Sequence, residues 1–408
     1  MRRIILLLIS GLAALAFACD HVDSVSLSRE DLFTINLGKL ENQFDYFFNT
    51  RLPRQTRNSI YFDDGVFYII NGNAQKVMSF SMLGELIMLF YNPDKNPVPV
   101  LLPAAARPKD DYEIVSRRAV PVDFSDIGAF GIDSAKNIYI EDEWPGPSEG
   151  EPQPSSINYR KIIRRFDRLG RPLDYIGRTG VNGLPFPAVE DIQLTGDNHL
   201  VVVCRTTKGM TVYWLDDRSR PLYEVEFDYL RLPASSDPQI ISTLGRIVPD
   251  FHERKLYLMI TRYANVKDES TGLVSRVNHV ESLIYTFDLE REKYLPDPVV
   301  IPAEFGQRSD PLFTQEKQKA ALPYSFLGVS RDTHFYLMKM KNKTTYELLV
   351  LDTSGRTVKK IRLFIDDTDM VSADFHISHA GLLYALIAET TCARVVRWRS
   401  DRAVAGGL

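Results

Sequence analysis

The chain lacks the features that define several protein classes. It has three cysteines in 408 residues, which excludes a disulfide-rich scaffold. The formal net charge is −4, so the basic excess typical of a nucleic-acid-binding protein is missing. Only residues 4–18 form a long apolar run, and that run is shorter than the roughly 20 residues that a membrane-spanning helix needs. With 44% hydrophobic and 25% charged residues, the sequence is that of a folded chain.

Local motifs for common enzyme chemistries are also missing. No HExxH zinc motif, paired CxxC or phosphate-binding loop occurs. Residues 146–150 match the GxSxG nucleophile elbow by letter, but prolines and carboxylates stand where the elbow needs a strand and a helix. His376 and His379 fall in a predicted strand, where residues three apart point to opposite sides. Local motifs therefore indicate no enzymatic activity.

The N-terminus has the pattern of an export signal. Arg2 and Arg3 precede an uncharged run that ends in small residues, as in a secretory signal peptide. Ala16-Phe17-Ala18-Cys19 resembles the lipobox of bacterial lipoproteins, in the relaxed form found in spirochaete lipoproteins, with Ala16 where leucine is usual. The resemblance implies cleavage before Cys19 and acyl chains such as palmitate on that residue. It also implies anchoring to a bacterial membrane, on its periplasmic or surface side.

An alternative interpretation of the same residues remains open. The small residues Ala16 and Ala18 also suit ordinary signal peptidase, which would leave Cys19 unmodified. In either case we predict a signal peptide over residues 1–18, followed by a polar, serine-rich segment over residues 19–31. With a lipidated Cys19, that segment is a tether holding the folded body near the membrane.

A pattern recurs six times between residues 58 and 399. Each copy has an apolar strand with a central anchor residue, then a second strand that ends in a large apolar residue and a polar turn. The anchors are Tyr68, Tyr139, Val201, Tyr257, Tyr336 and Tyr384. The second strands end at Phe80, Phe166, Leu215, Phe287, Leu351 and Trp398. Short strands repeated in this way predict a β-propeller, whereas an ordinary β-sandwich does not explain six recurrences in one order.

The repeats also resemble a known family. Residues 65–84 and 137–170 are similar to NHL repeats, in which a glycine or asparagine precedes the apolar strand and a glycine closes the second turn. The resemblance implies an all-β, six-bladed β-propeller with four-stranded blades. We predict blades at about residues 58–92, 122–178, 188–230, 243–301, 322–365 and 370–399.

Ring closure follows from what is missing at the C-terminus. Residues 400–408 carry no strand pattern, so we predict a tail there and a sixth blade without its outermost strand. Residues 32–37 alternate apolar and polar side chains, as a half-buried strand does. We therefore predict that this N-terminal strand completes the sixth blade, giving a propeller domain over residues 32–399.

The insertions between repeats indicate a working face. Blades 2 and 4 carry extra residues between their second and third strands, and the other long loops connect one blade to the next. Both kinds of loop emerge on one face of a propeller, and rigid scaffolds often use such loops for binding. We predict that this face binds a protein or polymer partner. Neutral variation in loop length is the alternative.

The insertion in blade 2 is the candidate partner loop. It is rich in carboxylates, with one tryptophan among prolines. The candidate residues are Glu141, Asp142, Glu143, Trp144, Glu149 and Glu151. They predict an exposed acidic epitope with an aromatic anchor, or else a solvated loop whose tryptophan packs on the blade.

An alternative function places a metal in the central channel. The positions ten residues ahead of the anchors include three polar residues, Asn58, Asp191 and Asp374, with Glu190 beside them. Metal-dependent propeller hydrolases similar to lactonases hold Ca²⁺ or Zn²⁺ with such residues, so the resemblance implies a hydrolase site at the channel mouth. Polar residues around a water-filled channel are the other explanation, and the binding-protein interpretation requires no cofactor.

The two remaining cysteines fall in opposed blades. Cys204 belongs to blade 3 and Cys392 to blade 6, so their Cα atoms would be farther apart than the roughly 7 Å that a disulfide allows. We predict two buried, unpaired thiols.

Overall fold

Short antiparallel strands joined by tight turns make up almost all of the regular structure. The computed structural model describes residues 24–46, 57–102, 117–144, 160–177, 180–184, 186–235, 237–267, 271, 273–303, 305–307, 319–321, 323–342, 344–365 and 368–406. Six sheets of four or five strands follow one another in a ring, which confirms the six-bladed β-propeller. The described part of the chain contains no helix long and apolar enough to cross a membrane.

The N-terminal strands and the first three blades occupy the first half of the chain. Two strands come first, β1 (Ser24–Leu27) and β2 (Glu30–Asn36). Blade 1 contains β3 (Asn58–Asp63), β4 (Val66–Asn71), β5 (Lys76–Ser81), β6 (Leu86–Tyr91) and β7 (Arg118–Pro121). Blade 2 contains β8 (Phe130–Ile132), β9 (Ile138–Glu143), β10 (Lys161–Phe166), β11 (Ile176–Gly177) and β12 (Val181–Asn182). Blade 3 contains β13 (Ala188–Leu194), β14 (Leu200–Arg205), β15 (Gly209–Leu215) and β16 (Pro221–Asp228).

The second half of the chain completes the ring. Blade 4 contains β17 (Ile240–Pro249), β18 (Lys255–Lys267), β19 (Val274–Asp288), β20 (Lys293–Tyr294) and β21 (Val299–Ile301). A separate hairpin of β22 (Phe305–Gln307) and β23 (Lys319–Ala321) follows. Blade 5 contains β24 (Ser325–Val329), β25 (Phe335–Asn342), β26 (Thr345–Leu351) and β27 (Thr357–Phe364). Blade 6 contains β28 (Met370–Ile377), β29 (Leu383–Glu389) and β30 (Cys392–Trp398), and a short helix α1 (Ser400–Val404) ends the described chain.

The polar turn of the repeat has one structure in blades 2, 3 and 5. In each blade an aspartate accepts hydrogen bonds from backbone N–H groups two and four residues later, while its second oxygen binds an arginine. The aspartate–arginine pairs are Asp167–Arg171, Asp216–Arg220 and Asp352–Arg356. The residue before each arginine has a positive φ, and two of these three residues are glycines. These bonds hold the pKa values of the Asp216 and Asp352 carboxyls below their usual range.

Six clusters of buried apolar side chains form the core, one between each pair of neighbouring blades. Each anchor of the repeat packs against the following blade; Tyr257, for example, packs with Phe335 of blade 5. The second strand of the repeat is the third strand of the blade, because an inner strand precedes the anchor strand. The large apolar residue at its end packs toward the preceding blade, as Trp398 does against blade 5. The anchor of one blade and the large apolar strand-end residue of the next blade therefore form the two sides of each interface.

The N-terminal strand closes the ring as predicted. β2 pairs in antiparallel register with β30, from Glu30 opposite Arg397 to Asn36 opposite Cys392. Ile35 is buried in the cluster between blades 6 and 1. Phe33 lies beside it, with its ring centroid 5.5 Å from that of Phe67.

The segment that we expected to be a tether is folded in part. Residues 24–27 form β1, which runs parallel to β27 on the outer edge of blade 5. Two other interblade segments behave in the same way, since β7 and β12 add parallel strands to the edges of blades 1 and 2. A sheet edge presents unpaired backbone groups, and an adjacent connecting segment satisfies them.

The segment that we expected to be a tail is folded in part. Ala403 of α1 packs against the cluster between blades 5 and 6, and the Ser400 hydroxyl donates a hydrogen bond to Gly381 O at 2.5 Å, so part of the tail is folded.

Cys204 and Cys392 are buried free thiols, as predicted. Burial raises the pKa of both thiols, and that of Cys204 strongly, so neither is a reactive thiolate.

We predict that Ile35→Asp destabilises the entire propeller, because it places a carboxylate in the interface that closes the ring. The free energy of unfolding should fall by about 3 kcal/mol or more. Thr34→Asp is the matched control, since Thr34 is exposed on the same strand. Chemical denaturation followed by circular dichroism measures both variants. Equal stability of the two variants would show that β2 is an appendage rather than part of the ring.

Candidate functional site

A polar cavity opens among the inner strands, at the end of the channel where the turns between the second and third strands of the blades emerge. We call this end of the ring the loop-bearing face. We call the cavity the upper cavity; its volume is about 450 Å³, within the usual size range of small-molecule sites. Blades 1, 3, 4 and 6 contribute its lining. The lining residues are Ser59, Ile60, Tyr61, Glu190, Asp191, Val203, Arg205, Met210, Leu244, Gly245, Arg246, Ile247, Asp374, Phe375 and His376.

β-Bulges shape this cavity. The register of β13 against β14 shifts between Val189 and Asp191, and the register of β17 against β18 shifts between Leu244 and Ile247. Glu190 lies in the first irregularity and Arg246 in the second. A bulge redirects a side chain that regular alternation would place elsewhere, and bulges are common next to functional sites.

An ion pair crosses the floor of the cavity. The Arg246 guanidinium donates to Asp191 Oδ2 through Nε at 3.1 Å and through Nη2 at 2.7 Å, and its Nη1 donates to Leu327 O of blade 5. The negative charge of Asp191 raises the pKa of Arg246, so the guanidinium stays protonated. Tyr61, Asp191, Arg246 and His376 also line a lower cavity of about 100 Å³, and together they divide the channel.

Asp374 contributes a second carboxyl group to the upper cavity. Its Oδ2 accepts a hydrogen bond from the Ile60 N–H at 2.9 Å. No ion pair to Asp374 is present among the described residues. Burial against the channel wall raises the pKa of Asp374 to about 6, because the charged form is desolvated and Arg246 compensates only in part.

Arginines and carboxylates also form a rim around the cavity mouth. Arg205 Nε lies 2.8 Å from Glu190 Oε1, and Arg57 Nη2 lies 3.8 Å from Glu190 Oε2. Arg57 also binds Glu141, which in turn pairs with Lys161 at 3.0 Å. The rim therefore alternates positive and negative groups from blades 1, 2 and 3.

The two histidines of blade 6 differ from the sequence expectation. We expected His376 and His379 to point to opposite sides of a strand, but both line the lower cavity. The reason is that β28 ends at Ile377, so His379 belongs to the following turn. Burial lowers the pKa of His376 to about 3, which makes it a neutral imidazole whose ring centroid lies 5.1 Å from that of Tyr61.

The four proposed metal ligands do not converge on one point. Asp191 binds Arg246 and Glu190 binds Arg205, while the Asn58 side-chain oxygen accepts hydrogen bonds from Asn71 Nδ2 and the Gly72 N–H. Asn58 is also outside the cavity lining. The β3–β4 turn has only two residues, so Tyr68 pairs with a residue seven positions back, whereas the anchors Val201 and Tyr384 pair with residues eight positions back. Counting ten residues back from Tyr68 therefore goes one position beyond the polar layer, and Ser59 occupies that layer instead. In the described ranges no group of three or more His, Cys, Asp or Glu residues has metal-binding geometry.

The acidic segment of blade 2 is largely structural rather than exposed. Glu141 and Asp142 are buried in β9, contrary to our expectation. Asp142 Oδ1 accepts the N–H groups of Ser125 and Asp126, and its Oδ2 lies 2.6 Å from Arg164 Nε. These contacts fix the loop that precedes the inner strand of blade 2.

The other residues of that segment give a mixed result. Glu143 forms an ion pair with Arg160 at 3.4 Å, and the Trp144 N–H donates to Arg160 O at 2.6 Å. Both residues therefore continue the β9–β10 ladder. Glu149 and Glu151 lie outside the described residues.

Sequence reasoning missed the residues that define the cavity, Arg246, Arg205 and Tyr61. A signal for Arg246 was present: Gly245 interrupts an apolar inner strand, and an isolated glycine in a strand often marks a bulge. Arg205 ends β14 at the loop-bearing face, but nothing in its neighbourhood in the sequence distinguishes it.

Some solved structures are similar to this chain at low sequence identity. No protein-family model matches the chain, and no curated protein matches its sequence. Similar solved structures include a gluconolactonase from Xanthomonas campestris, with 12% identity over 84% of this chain and 85% of that one and a TM-score of 0.38. Regucalcin, a calcium-binding protein from Agrobacterium tumefaciens, has 10% identity, coverage of 93% and 97%, and a TM-score of 0.40. The WD40 domain of Toxoplasma gondii coronin has 8% identity, coverage of 93% and 89%, and a TM-score of 0.43.

We predict that Asp374→Asn stabilises the protein in a pH-dependent way. An acid with a raised pKa in the folded state stabilises that state while protonated, and the stabilisation is lost as the pH rises from about 4 to about 6. The free energy of unfolding of the variant should therefore gain about 1–3 kcal/mol on that of the natural protein between pH 4 and pH 7.5. Denaturant unfolding at the two pH values measures this gain. Glu224→Gln, an exposed change on the outer strand β16, should give none; a constant difference for Asp374→Asn would contradict the assignment.

Proposed function

We propose that the chain is an exported binding protein, anchored to a bacterial membrane through Cys19, whose loop-bearing face engages a protein partner. The observation that carries this proposal is a projection of blade 4, which we call the arm. It consists of residues 240–243, 262–267 and 274–281, at the loop-bearing ends of β17, β18 and β19.

The arm exposes apolar side chains to solvent. Val277 is 56% exposed, Val274 51% and Ile241 50%. Beyond Glu281 toward the tip, β19 has no described side chain that is fully buried. Arg262 binds Glu281 at 2.6 Å and also the hydroxyl of Tyr285 at the base of the arm, and the Ser275 hydroxyl donates to Val266 O at 3.1 Å near its tip. Exposed apolar groups on a rigid, projecting element are typical of interaction sites.

The backbone of the arm favours a protein over a polymer as partner. Among the described residues, 274–281 pair with β18 on one side and are hydrogen-bonded to no strand on the other, where β23 contacts β19 without pairing with it. An open edge with valines can receive an extended peptide as an additional strand, with backbone hydrogen bonds for affinity and side chains for specificity. A polysaccharide could not continue this ladder.

The anchor would hold the propeller close to the membrane at the end of β1 that is farther from the loop-bearing face, because β1 runs toward that face parallel to β27. Ser24, the first residue of β1, is five positions after Cys19, so the chain between them reaches at most about 18 Å. A partner of the arm would then be another component of the same envelope surface.

We predict that a photo-cross-linking amino acid at Val277 captures a protein partner in intact cells. Leu222 is the matched control, because it is 44% exposed on blade 3 at the opposite end of its sheet. A discrete adduct should form from position 277 and not from position 222. Val274→Asp should remove it by placing a charge on the open edge. Equal adducts from both positions, or none from position 277, would contradict the arm as the partner site.

We predict that the protein incorporates radiolabelled palmitate through Cys19. The natural chain should be labelled and partition into the detergent phase, and Cys19→Ala should lose both properties. Cys392→Ala controls for labelling at another thiol. A labelled Cys19→Ala protein would place the acyl group elsewhere, while an unlabelled natural chain would support cleavage by ordinary signal peptidase.

A metal-dependent hydrolase similar to lactonases is the second candidate function. What favours it is the position of Asp191, Asp374 and Glu190 at a channel cavity. The donor set fits Ca²⁺ or Zn²⁺ poorly, because two of these three carboxylates already pair with arginines.

A further inference from the structure

Within the described residues, the upper cavity contains one carboxyl without a cation, Asp374, and one arginine with two unused terminal nitrogens, Arg205. Asp191 and Arg246 neutralise each other, and Arg246 uses its third nitrogen on Leu327 O. Glu190 is shared between Arg205 and Arg57, which lie on either side of it. Asp374 receives one backbone N–H and, within the described residues, no cation. Arg205 pairs with Glu190 through Nε, and its side chain is 56% exposed.

These two groups occupy opposed walls. Asp374 is on the inner strand of blade 6 and Arg205 is at the end of the second strand of blade 3, so the ring places them across the channel from one another. Apolar lining from Val203, Met210 and Leu244 lies on the Arg205 side. Convergent polar groups in a partly apolar cavity are the usual composition of a small-molecule site.

We propose that the upper cavity binds a small zwitterion, such as a free amino acid or a dipeptide, with its amine on Asp374 and its carboxylate on Arg205. The Arg246 guanidinium supplies the fixed positive charge that a metal would supply in the alternative interpretation. A ligand with both charges pairs with Asp374 and with the terminal nitrogens of Arg205 together, whereas a simple anion or cation pairs with only one of them. This proposal does not depend on the anchor or on the arm.

Calorimetric titration of the purified full chain tests the proposal. The probes are the twenty free amino acids and dialanine, each titrated separately, with CaCl₂ and ZnCl₂ as metal probes. At least one zwitterion should bind with a Kd below about 1 mM. The amide and the N-acetyl derivative of the tightest ligand should each bind at least tenfold more weakly, because each loses one charge-assisted hydrogen bond.

Variants assign the two ends of the ligand. Asp374→Asn should weaken binding at least tenfold and make the N-acetyl derivative no worse than the parent ligand. Arg205→Gln should do the same for the amide derivative. Glu224→Gln and Arg362→Gln, exposed on the outer strands β16 and β27, should leave the Kd unchanged. Circular dichroism melting curves confirm that each variant is folded.

Several results would overturn the proposal. One is that no zwitterion in the panel binds. A second is binding that neither Asp374→Asn nor Arg205→Gln weakens. A third is binding of calcium or zinc that Asp374→Asn abolishes, which would establish the cavity as a metal site. The cross-linking at Val277 and the labelling at Cys19 remain independent of all these outcomes.

Discussion

The pairing of β2 with β30 is the constraint on which the rest of the structure depends. Each blade has two apolar faces, and each face is buried only if a neighbouring blade is present. In an open array of six blades, the first and the last would each expose one face. The antiparallel ladder between Glu30–Asn36 and Cys392–Trp398 joins the ends of the chain and buries the sixth interface. Every inner strand that lines the channel is held in place by this closure.

The fold was predictable because the repeat encodes the interfaces directly. An anchor such as Tyr336 is placed on the second strand so that it reaches the next blade, and Leu351 on the third strand reaches the previous one. Both positions need large apolar residues in every blade, whatever the length of the loops. Aspartate and glycine then recur at the turns because these side chains satisfy the local backbone. Unequal insertions hide the period but leave these positions unchanged.

The site was less predictable because it depends on departures from regular alternation. The bulge at Gly245 and Arg246 moves an arginine into the channel, and the bulge at Glu190 moves a carboxylate to the rim. Counting back from the anchors identified Asp191 and Asp374 correctly as channel residues but misplaced Asn58, because the tighter β3–β4 turn shortens the distance along the chain by one residue. Burial of Glu141 and Asp142 was also hidden from the sequence. Their partners Arg57, Lys161 and Arg164 are distant in the chain or follow the long insertion.

An arginine at the centre of the channel has consequences that a metal would not have. A guanidinium is planar, and its two hydrogen bonds to Asp191 fix its orientation, with the third nitrogen directed toward blade 5. Its charge does not require a complete shell of oxygen ligands, so Asp374 can remain without a counter-charge a short distance away. The same strand, β17, carries Arg246 in its bulge and forms one side of the arm at its N-terminal end. The wall of the cavity and the projecting edge of blade 4 are therefore parts of one continuous strand, and the geometry of each is set by where that strand departs from its regular register.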